Sequence, residues 1–340
     1  MADPEVKWIQ FRSYSGPVIN AGAPVGPPRS GHAQRAYWLT TKVETGGVLG
    51  KVMAYDGTCM TAGPDQHIAV YPKELSEEDW RAEDDQGSLW SLLARLLRVR
   101  GSDSQLAAHF DALLSELASD GFRVGTDGRL VYAADRQVTV NEVVVRVRAG
   151  ELAHGNVIRD TYTGPSDGKV PSSGPYWEKA KRWALLWHRI TVHPAARQVQ
   201  LDYGIDHLVK RTLTRKIADL GTVDAVLYGP QNVMSANGLD PALDLAACVF
   251  HAHSVNGPSP AVRALADAAR AHPRAKDPVA FARDLLVGLG NNDYGRWDDD
   301  VKSGRWQRTR THAMNSGLWP ERLFLGESAV MPLDLPEKEE

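Results

Sequence analysis

Two carboxylates and one hydroxyl, closely spaced in a single stretch, give this chain its clearest potential chemistry. Glu44 ends a run of mixed apolar and polar residues, Asp56 lies in the Asp-Gly turn of an apparent hairpin, and Thr61 follows on the return strand. Cleavage of a glycosidic bond needs one carboxylic acid to protonate the leaving oxygen and a second polar group to position water or attack the sugar. The stretch therefore predicts a glycoside-cleaving site.

The local sequence gives each of the three residues a different role. Apolar neighbours and a Thr-Gly-Gly turn flank Glu44, and we expect desolvation to raise its pKa and keep it protonated as the general acid. Asp56, on a wet hairpin rim, would stay ionised and order the water, with help from the hydroxyl of Thr61. The alternative interpretation is that both acids merely belong to a surface hairpin.

These residues resemble the lysozyme-like superfamily, especially the phage-type lysozymes and related endolysins. In that family a Glu closes a first helix, an Asp follows in a β-hairpin, and a Thr comes soon afterwards in a Thr-x-Gly context. The matching residues here are Glu44, Asp56, Thr61 and Gly63, although the interval between the two acids is longer than in the phage-type enzymes. The resemblance implies a lysozyme-like lobe and inverting hydrolysis of the β-1,4 bond of peptidoglycan.

Four residues around the same stretch are predicted to contact the glycan. They are Tyr55, Gly63, Gln66 and Tyr71. Two other functions stay open at this point. The first is a non-catalytic component of a phage tail or contractile injection system that keeps a lysozyme-like shape, and the second is a chitosanase-like or chitinase-like hydrolase.

Composition bounds the class of protein. With 340 residues, 43% of them hydrophobic, the chain can bury one large core or two smaller ones, which excludes disorder of the whole chain. Its formal charge of −3 gives no reason to expect a nucleic-acid partner. No apolar run is long enough to span a membrane and no signal peptide is recognisable. We therefore expect synthesis in the cytoplasm, followed by release or delivery to the bacterial cell wall.

The histidines and cysteines offer weaker alternatives. His188, His193 and His207 form one group and His251 and His253 a second, but neither has the spacing of a zinc motif. The two cysteines, Cys59 and Cys248, lie in segments where a buried, inert thiol is expected, and they imply no disulfide framework. We predict neither a metal site nor a cofactor.

The elements that must hold the predicted site follow from hydrophobic patterning. Residues 1–35 are rich in Gly and Pro and predict an N-terminal arm, which begins with a short strand at 6–11. The arm is either a tether to a phage or injection-system assembly or a strap on the surface. Residues 36–71 alternate as short strands and turns, with Asp56-Gly57 as the strongest hairpin signal. Residues 326–340 predict a flexible acidic tail.

The rest of the chain is predicted to be helical, apart from one insertion. Helical periodicity covers 87–99, 104–119, 176–192, 194–218 and four later segments, whereas 121–150 is rich in Val and predicts an inserted β-rich segment. That insertion is either a flap that binds substrate or a partner, or a hairpin that covers the core. The sequence thus predicts a mostly helical α+β fold, with residues 36–325 forming one lysozyme-like domain.

Overall fold

The computed structural model describes residues 3–11, 14–28, 31–54, 59–64, 67–70, 87–140, 142–164, 169–229, 238–255, 258–291, 299–327 and 329–333. The helices in these ranges are α1 His32–Thr45, α2 Ser88–Leu96, α3 Ser104–Ser119, α4 Gly155–Thr163, α5 Pro175–Thr191, α6 Pro194–Leu213, α7 Val223–Tyr228, α8 Pro241–Ser254, α9 Pro258–Ala271, α10 Pro278–Asn291 and α11 Asp299–Asn315. The strands are β1 Lys7–Phe11, β2 Tyr14–Ile19, β3 Val52–Met53, β4 Thr61–Ala62, β5 His67–Ile68, β6 Phe122–Val124, β7 Leu130–Tyr132, β8 Arg136–Val140, β9 Val143–Val147, β10 Lys216–Ile217 and β11 Gly221–Thr222.

The mostly helical α+β class predicted from the sequence is confirmed. Helix accounts for 55% of the structure and strand for 15%, and the strands form small sheets. Within the described ranges, none of the helices has the length and apolar character needed to cross a membrane.

The chain divides into two compact units, each made from two stretches of sequence. The first unit contains residues 1–24 and 48–203, and the second contains residues 25–47 and 204–340. The boundaries predicted from the sequence, at 35/36 and 325/326, remain predictions.

A five-stranded antiparallel sheet lies in the first unit, in the order β1-β2-β3-β4-β5. The Gly-Pro-rich segment, predicted as an arm, contributes a central strand, because β2 pairs with β1 on one side and β3 on the other. Pro17 has no N–H to donate, but its carbonyl accepts a hydrogen bond of 2.9 Å from the backbone N–H of Ala54. A proline therefore fits where the ladder needs only an acceptor.

Helices α2, α3 and α5 build the core of the first unit around large aromatic rings. The indole of Trp90 meets those of Trp183 and Trp187 edge-to-face, with ring centroids 6.4 and 6.3 Å apart, and all three are buried. Edge-to-face packing suits the charge distribution of aromatic rings.

The β-rich insertion predicted at 121–150 is confirmed as two separate hairpins. Strand β6 pairs with β7, and β8 pairs with β9 in the register Val140↔Val143 to Arg136↔Val147. The β6–β7 hairpin packs inward through Phe122, Leu130 and Tyr132, which are fully buried.

The second unit is organised around α8. Every residue from Ala242 to Ser254 is buried, which is the pattern of a helix surrounded by others rather than lying at a surface. The helix begins at Pro241, and the carboxylate of Asp240 caps it by accepting a 2.8 Å hydrogen bond from the N–H of Ala242. Helices α1, α9 and α10 pack against it.

The prediction of short strands and turns is wrong for residues 36–45, which belong to α1. Threonines and Val43 suggest a strand, but three threonine hydroxyls donate to carbonyls one turn earlier: Thr40 to Ala36 at 2.8 Å, Thr41 to Trp38 at 2.9 Å and Thr45 to Thr41 at 3.0 Å. These bonds satisfy the hydroxyls inside a buried helix, so their polarity does not oppose it.

The other predicted helices are confirmed within a few residues. The periodic segments correspond to α2, α3, α5, α6, α8, α9, α10 and α11. The predicted Asp56-Gly57 turn lies outside the described residues. The strands on either side of that turn, β3 and β4, are antiparallel as the hairpin signal requires.

Gly50, in the loop that leads into β3, is predicted to be intolerant of a side chain. A Cβ atom there would lie 2.2 Å from Cγ1 of Val192 and 2.5 Å from the carbonyl oxygen of Ala21. We expect Gly50→Ala to lower the free energy of unfolding by about 1–3 kcal/mol, the usual cost of overpacking. Urea and thermal denaturation of the full chain measure it.

Gly101→Ala is the matched control, because a Cβ at position 101 would have no atom within 4 Å. An equal loss of stability in both variants would contradict the packing argument.

Candidate functional site

Glu44 lies in the last turn of α1, where two glycines end the helix. The backbone N–H of Gly46 donates to the carbonyl of Lys42 at 3.1 Å, and that of Gly47 donates to the carbonyl of Thr41 at 2.9 Å. Both glycines have positive φ, 70° and 76°, as this helix-ending motif requires. The Glu-Thr-Gly-Gly sequence thus places Glu44 just before the chain leaves the helix, with only 7% of its side chain exposed.

An arginine from α11 is paired with this carboxylate. The guanidinium of Arg305 donates to Oε1 of Glu44, and the same nitrogen donates to the carbonyl of Ala252 in α8 at 2.7 Å. A carboxylate at the C-terminal end of a helix faces the negative end of the helix dipole, so a cation there is stabilising. The setting of Glu44 therefore differs from the purely apolar one expected from its neighbours in sequence.

His253 is close enough to Arg305 for the charge of the guanidinium to act on it. Its ring is buried and meets the indole of Trp306 edge-to-face, with centroids 6.3 Å apart. Burial, reinforced by the charge of Arg305, holds the pKa of His253 well below its usual value. The imidazole is therefore neutral, and Arg305 is the cation that faces Glu44.

Thr61 and Gly63 lie on β4 of the first unit and just after it. Thr61 pairs with Met53 and Ile68 in the sheet, and only 2% of the residue is exposed. Its hydroxyl has no hydrogen-bond partner among the described residues. Gly63 has φ of +87° and donates its N–H to the carbonyl of Lys51 at 3.0 Å, which closes the end of the β3–β4 pair.

The remaining predicted site residues are Tyr55, Asp56, Gln66 and Tyr71, and all four lie outside the described residues. The chain order is nevertheless clear. Asp56 belongs to the connection between β3 and β4, and Gln66 to the connection between β4 and β5. Glu44 belongs to the second unit, whereas Thr61 and Gly63 belong to the first.

A buried polar network that the sequence did not predict lies in the second unit. The Asp244 carboxylate, 6% exposed, accepts from His32 at 2.6 Å, from the guanidinium of Arg35 at 2.9 and 2.5 Å, and from the indole N–H of Trp319 at 2.6 Å. Burial raises the pKa of Asp244, but the hydrogen bonds from His32 and Arg35 outweigh it and lower the pKa to about 2. The carboxylate is therefore ionised.

The network continues through a tyrosine to a second histidine. Nε2 of His32 lies 2.7 Å from the hydroxyl of Tyr228, which lies 2.9 Å from Nε2 of His251. Burial, followed by the charge of His32, lowers the pKa of His251 to about 3, and burial holds that of Tyr228 well above its usual value. His251 and Tyr228 are thus neutral, whereas Asp244 and Arg35 at the other end of the network form an ion pair.

His32, Asp244 and Cys248 come close enough to be considered as metal ligands. Two ligands of one tetrahedral zinc lie about 3.4 Å apart, whereas Nδ1 of His32 and Oδ1 of Asp244 are 2.6 Å apart, a hydrogen-bond distance. The guanidinium of Arg35 also occupies both carboxylate oxygens. The three residues form a hydrogen-bonded network rather than a metal site.

The same residues do not form a nucleophilic triad. A triad needs the thiol and the carboxylate on opposite nitrogens of the imidazole, but Sγ of Cys248 faces Nδ1 of His32 at 3.9 Å, the nitrogen that already faces Asp244. Burial raises the pKa of the Cys248 thiol well above its usual value, with the charge of Asp244 adding to the effect. Cys59 is also a buried free thiol.

Two of the other predicted histidines hold loops in the first unit. Nδ1 of His188 lies 2.7 Å from the carbonyl of Gly50, and Nε2 of His193 lies 3.3 Å from the carboxylate of Asp103. These two histidines therefore do not converge on one point. His207, the third of that predicted group, belongs to α6 in the second unit.

Comparisons with protein-family models, curated proteins and solved structures found no match to this chain.

The buried His251 predicts a specific pH dependence of stability. Its pKa of about 3 in the folded protein lies below the value of about 6.5 in an unfolded chain. Between these values the unfolded state binds one more proton. The contribution of His251 to the free energy of unfolding is fully present above about pH 6.5. It falls by about 1.4 kcal/mol per pH unit as the pH drops towards 3.

We expect His251→Gln to remove this contribution. The slope of the unfolding free energy against pH should then fall by about 1.4 kcal/mol per pH unit in this window. Denaturation curves at several pH values measure the slope. His272→Gln, which changes a half-exposed histidine, should retain the wild-type slope. An unchanged slope in His251→Gln would contradict the assignment.

Proposed function

We propose that this chain is a glycoside hydrolase that cleaves the glycan of the bacterial cell wall with inversion, as the resemblance to the phage-type lysozymes implies. In this proposal Glu44 is the general acid, Asp56 orders and activates the attacking water, and Thr61 helps to hold that water. Tyr55, Gly63, Gln66 and Tyr71 are the proposed glycan contacts. The protein would reach its substrate after release or delivery from the cell that makes it.

The observation that carries the proposal is the position of Glu44. It closes a buried helix, its side chain is largely shielded, and a short antiparallel meander of three strands, β3 to β5, follows directly in sequence. A Glu at the end of a helix followed by a β-hairpin is the arrangement on which the resemblance rests. Asp56 belongs to the connection between the first two of these strands.

Arg305 supports the same reading by fixing the carboxyl group. Its guanidinium joins Oε1 of Glu44 to the carbonyl of Ala252, so the side chain of Glu44 is tied to backbone of the buried helix α8. A general acid must be held in place relative to the leaving oxygen, and groups supported by rigid helices are held best. The positive charge of Arg305 would stabilise the Glu44 carboxylate after the proton has been transferred, but it also opposes the protonated form that a general acid needs.

The hydroxyl of Thr61 supports the role of water holder. A buried hydroxyl without a hydrogen bond is unfavourable by about 1–3 kcal/mol, so such groups usually have a partner. Among the described residues, no group uses the hydrogen-bonding capacity of this hydroxyl. A water molecule is the simplest group that could use it.

We expect Glu44→Gln to lower the rate of clearing of a purified cell-wall suspension by about 100-fold or more, because an amide cannot supply the proton. Turbidity measures the rate, and circular dichroism checks that the variant is folded. Glu178→Gln changes a carboxylate that is mostly exposed on α5 and should keep the wild-type rate.

Two outcomes would separate the alternatives. Binding to cell walls without clearing by the wild type would contradict the hydrolase and favour a non-catalytic component of a phage tail or injection system. Cleavage of chitosan or chitin with no action on peptidoglycan would assign the enzyme to a different glycan.

Thr61→Val is expected to separate catalysis from folding. Valine has nearly the same shape and removes only the unpaired hydroxyl, so the free energy of unfolding should stay the same or rise slightly. If the hydroxyl holds the attacking water, the rate of clearing should nevertheless fall by about tenfold or more. A variant that is as active as the wild type would contradict the proposed role of Thr61.

A further inference from the structure

The hairpin of β8 and β9 exposes apolar side chains that nothing described in the chain covers. Val143 and Val144 are 60% and 63% exposed, more than the other large apolar residues of the described ranges. Both lie near the tip of the hairpin, where they begin β9. The sequence of this strand is Val-Val-Val-Arg-Val. Val138 and Val147 hold one face of this hairpin against the core, so the exposed valines near its tip are the part that a further strand could cover.

The outer edge of β9 is available for pairing. Two residues connect the strands, and the pair that closes such a hairpin, Val140↔Val143, is hydrogen bonded. Alternation then directs the N–H and C=O groups of Val144 and Arg146 away from β8. Within the described ranges these groups make no hydrogen bond outside the hairpin.

The sequence of this edge is complementary to itself. If two copies of β9 pair antiparallel about Val145, then Val144 of each copy lies opposite Arg146 of the other. These are the positions whose hydrogen-bonding groups point outward, so the ladder is in phase. The same register sets Val143 opposite Val147. It also brings Glu142, in the turn before β9, close to Arg148, which follows the strand, so an acid and a base meet at both ends.

We propose that the chain forms a homodimer through this edge, in which two β9 strands pair antiparallel about Val145 and form a four-stranded sheet β8-β9-β9-β8. Edge strands that are apolar and unprotected are templates for such pairing. The favoured partner is a second copy rather than an unrelated peptide, because one register satisfies the outward hydrogen bonds, sets Val143 opposite Val147 and brings Glu142 close to Arg148. This inference does not depend on the proposed hydrolase function.

The charges provide the first test. In the dimer, symmetry repeats the contact between Glu142 and Arg148, so Glu142→Arg turns two attractive pairs into two repulsive ones. We expect this variant, and likewise Arg148→Glu, to raise the dimer dissociation constant by about tenfold. The double variant Glu142→Arg/Arg148→Glu restores opposite charges and should return the constant towards the wild-type value. Sedimentation velocity over a range of concentrations of the full chain measures all four proteins.

A cysteine placed on the two-fold axis provides the second test. Val145 would lie opposite itself in a pair whose Cα atoms are about 4.5 Å apart, close enough for a disulfide. Val145→Cys should form a covalent dimer under mild oxidation, whereas Thr139→Cys, on β8 and away from the axis, should not. The two native cysteines are buried and do not interfere.

A wild-type chain that stays monomeric at every concentration would overturn the proposal. A dimer whose dissociation constant is unchanged by the single charge reversals would overturn it as well. So would a folded double variant whose dissociation constant does not return towards the wild-type value. Equal cross-linking of the two cysteine variants would show that the contact lies elsewhere.

Discussion

The buried carboxylate of Asp244 is the group on which the second unit depends. An ionised carboxylate in a protein interior is very unfavourable unless other groups replace its lost hydration. Here His32, Arg35 and Trp319 supply four hydrogen bonds and a positive charge. Because His32 and Arg35 both lie at the start of α1 and Trp319 follows α11, one carboxylate joins two parts of the unit to α8.

The same helix controls the other end of α1. Arg305 joins Glu44 to the carbonyl of Ala252, two turns along α8 from Asp244. Helix α1 is thus tied to α8 near its start by His32 and Arg35 and near its end by Glu44. Its hydrogen-bonded threonines let the intervening face be buried without unsatisfied hydroxyls. The position of the proposed acid is therefore a consequence of how α8 is buried.

Local sequence patterns predicted the elements whose stability is local. The stripes of α3 and α5 and the Val-rich alternation of β8 and β9 are visible within a short window, and the structure has these elements where they were predicted. Helix α1 was misread because threonine favours strands, and only the buried structure shows where its hydroxyls donate. Strand β2 was missed because Pro17 argues against a central strand unless its acceptor role is known.

The buried network could not be predicted because its members are far apart in the chain. His32 and Asp244 are separated by 212 positions and Tyr228 and His251 by 23, and no motif links them. The sequence singled out His251 only as a possible metal ligand. By contrast, Glu44 and Thr61 can be singled out from the sequence because the Gly-Gly turn and the strand signals beside them are their neighbours in sequence.

The most direct test of the account is the configuration of the sugar released at the moment of cleavage. Purified cell-wall glycan would be incubated with the full chain inside an NMR spectrometer, and the anomeric proton of the new reducing end followed from the first minutes. Inverting cleavage of a β-linked glycan, with Glu44 as the acid and a water on the opposite face, predicts that the α-anomer appears first. A β-anomer, or no new reducing end at all, would contradict the account.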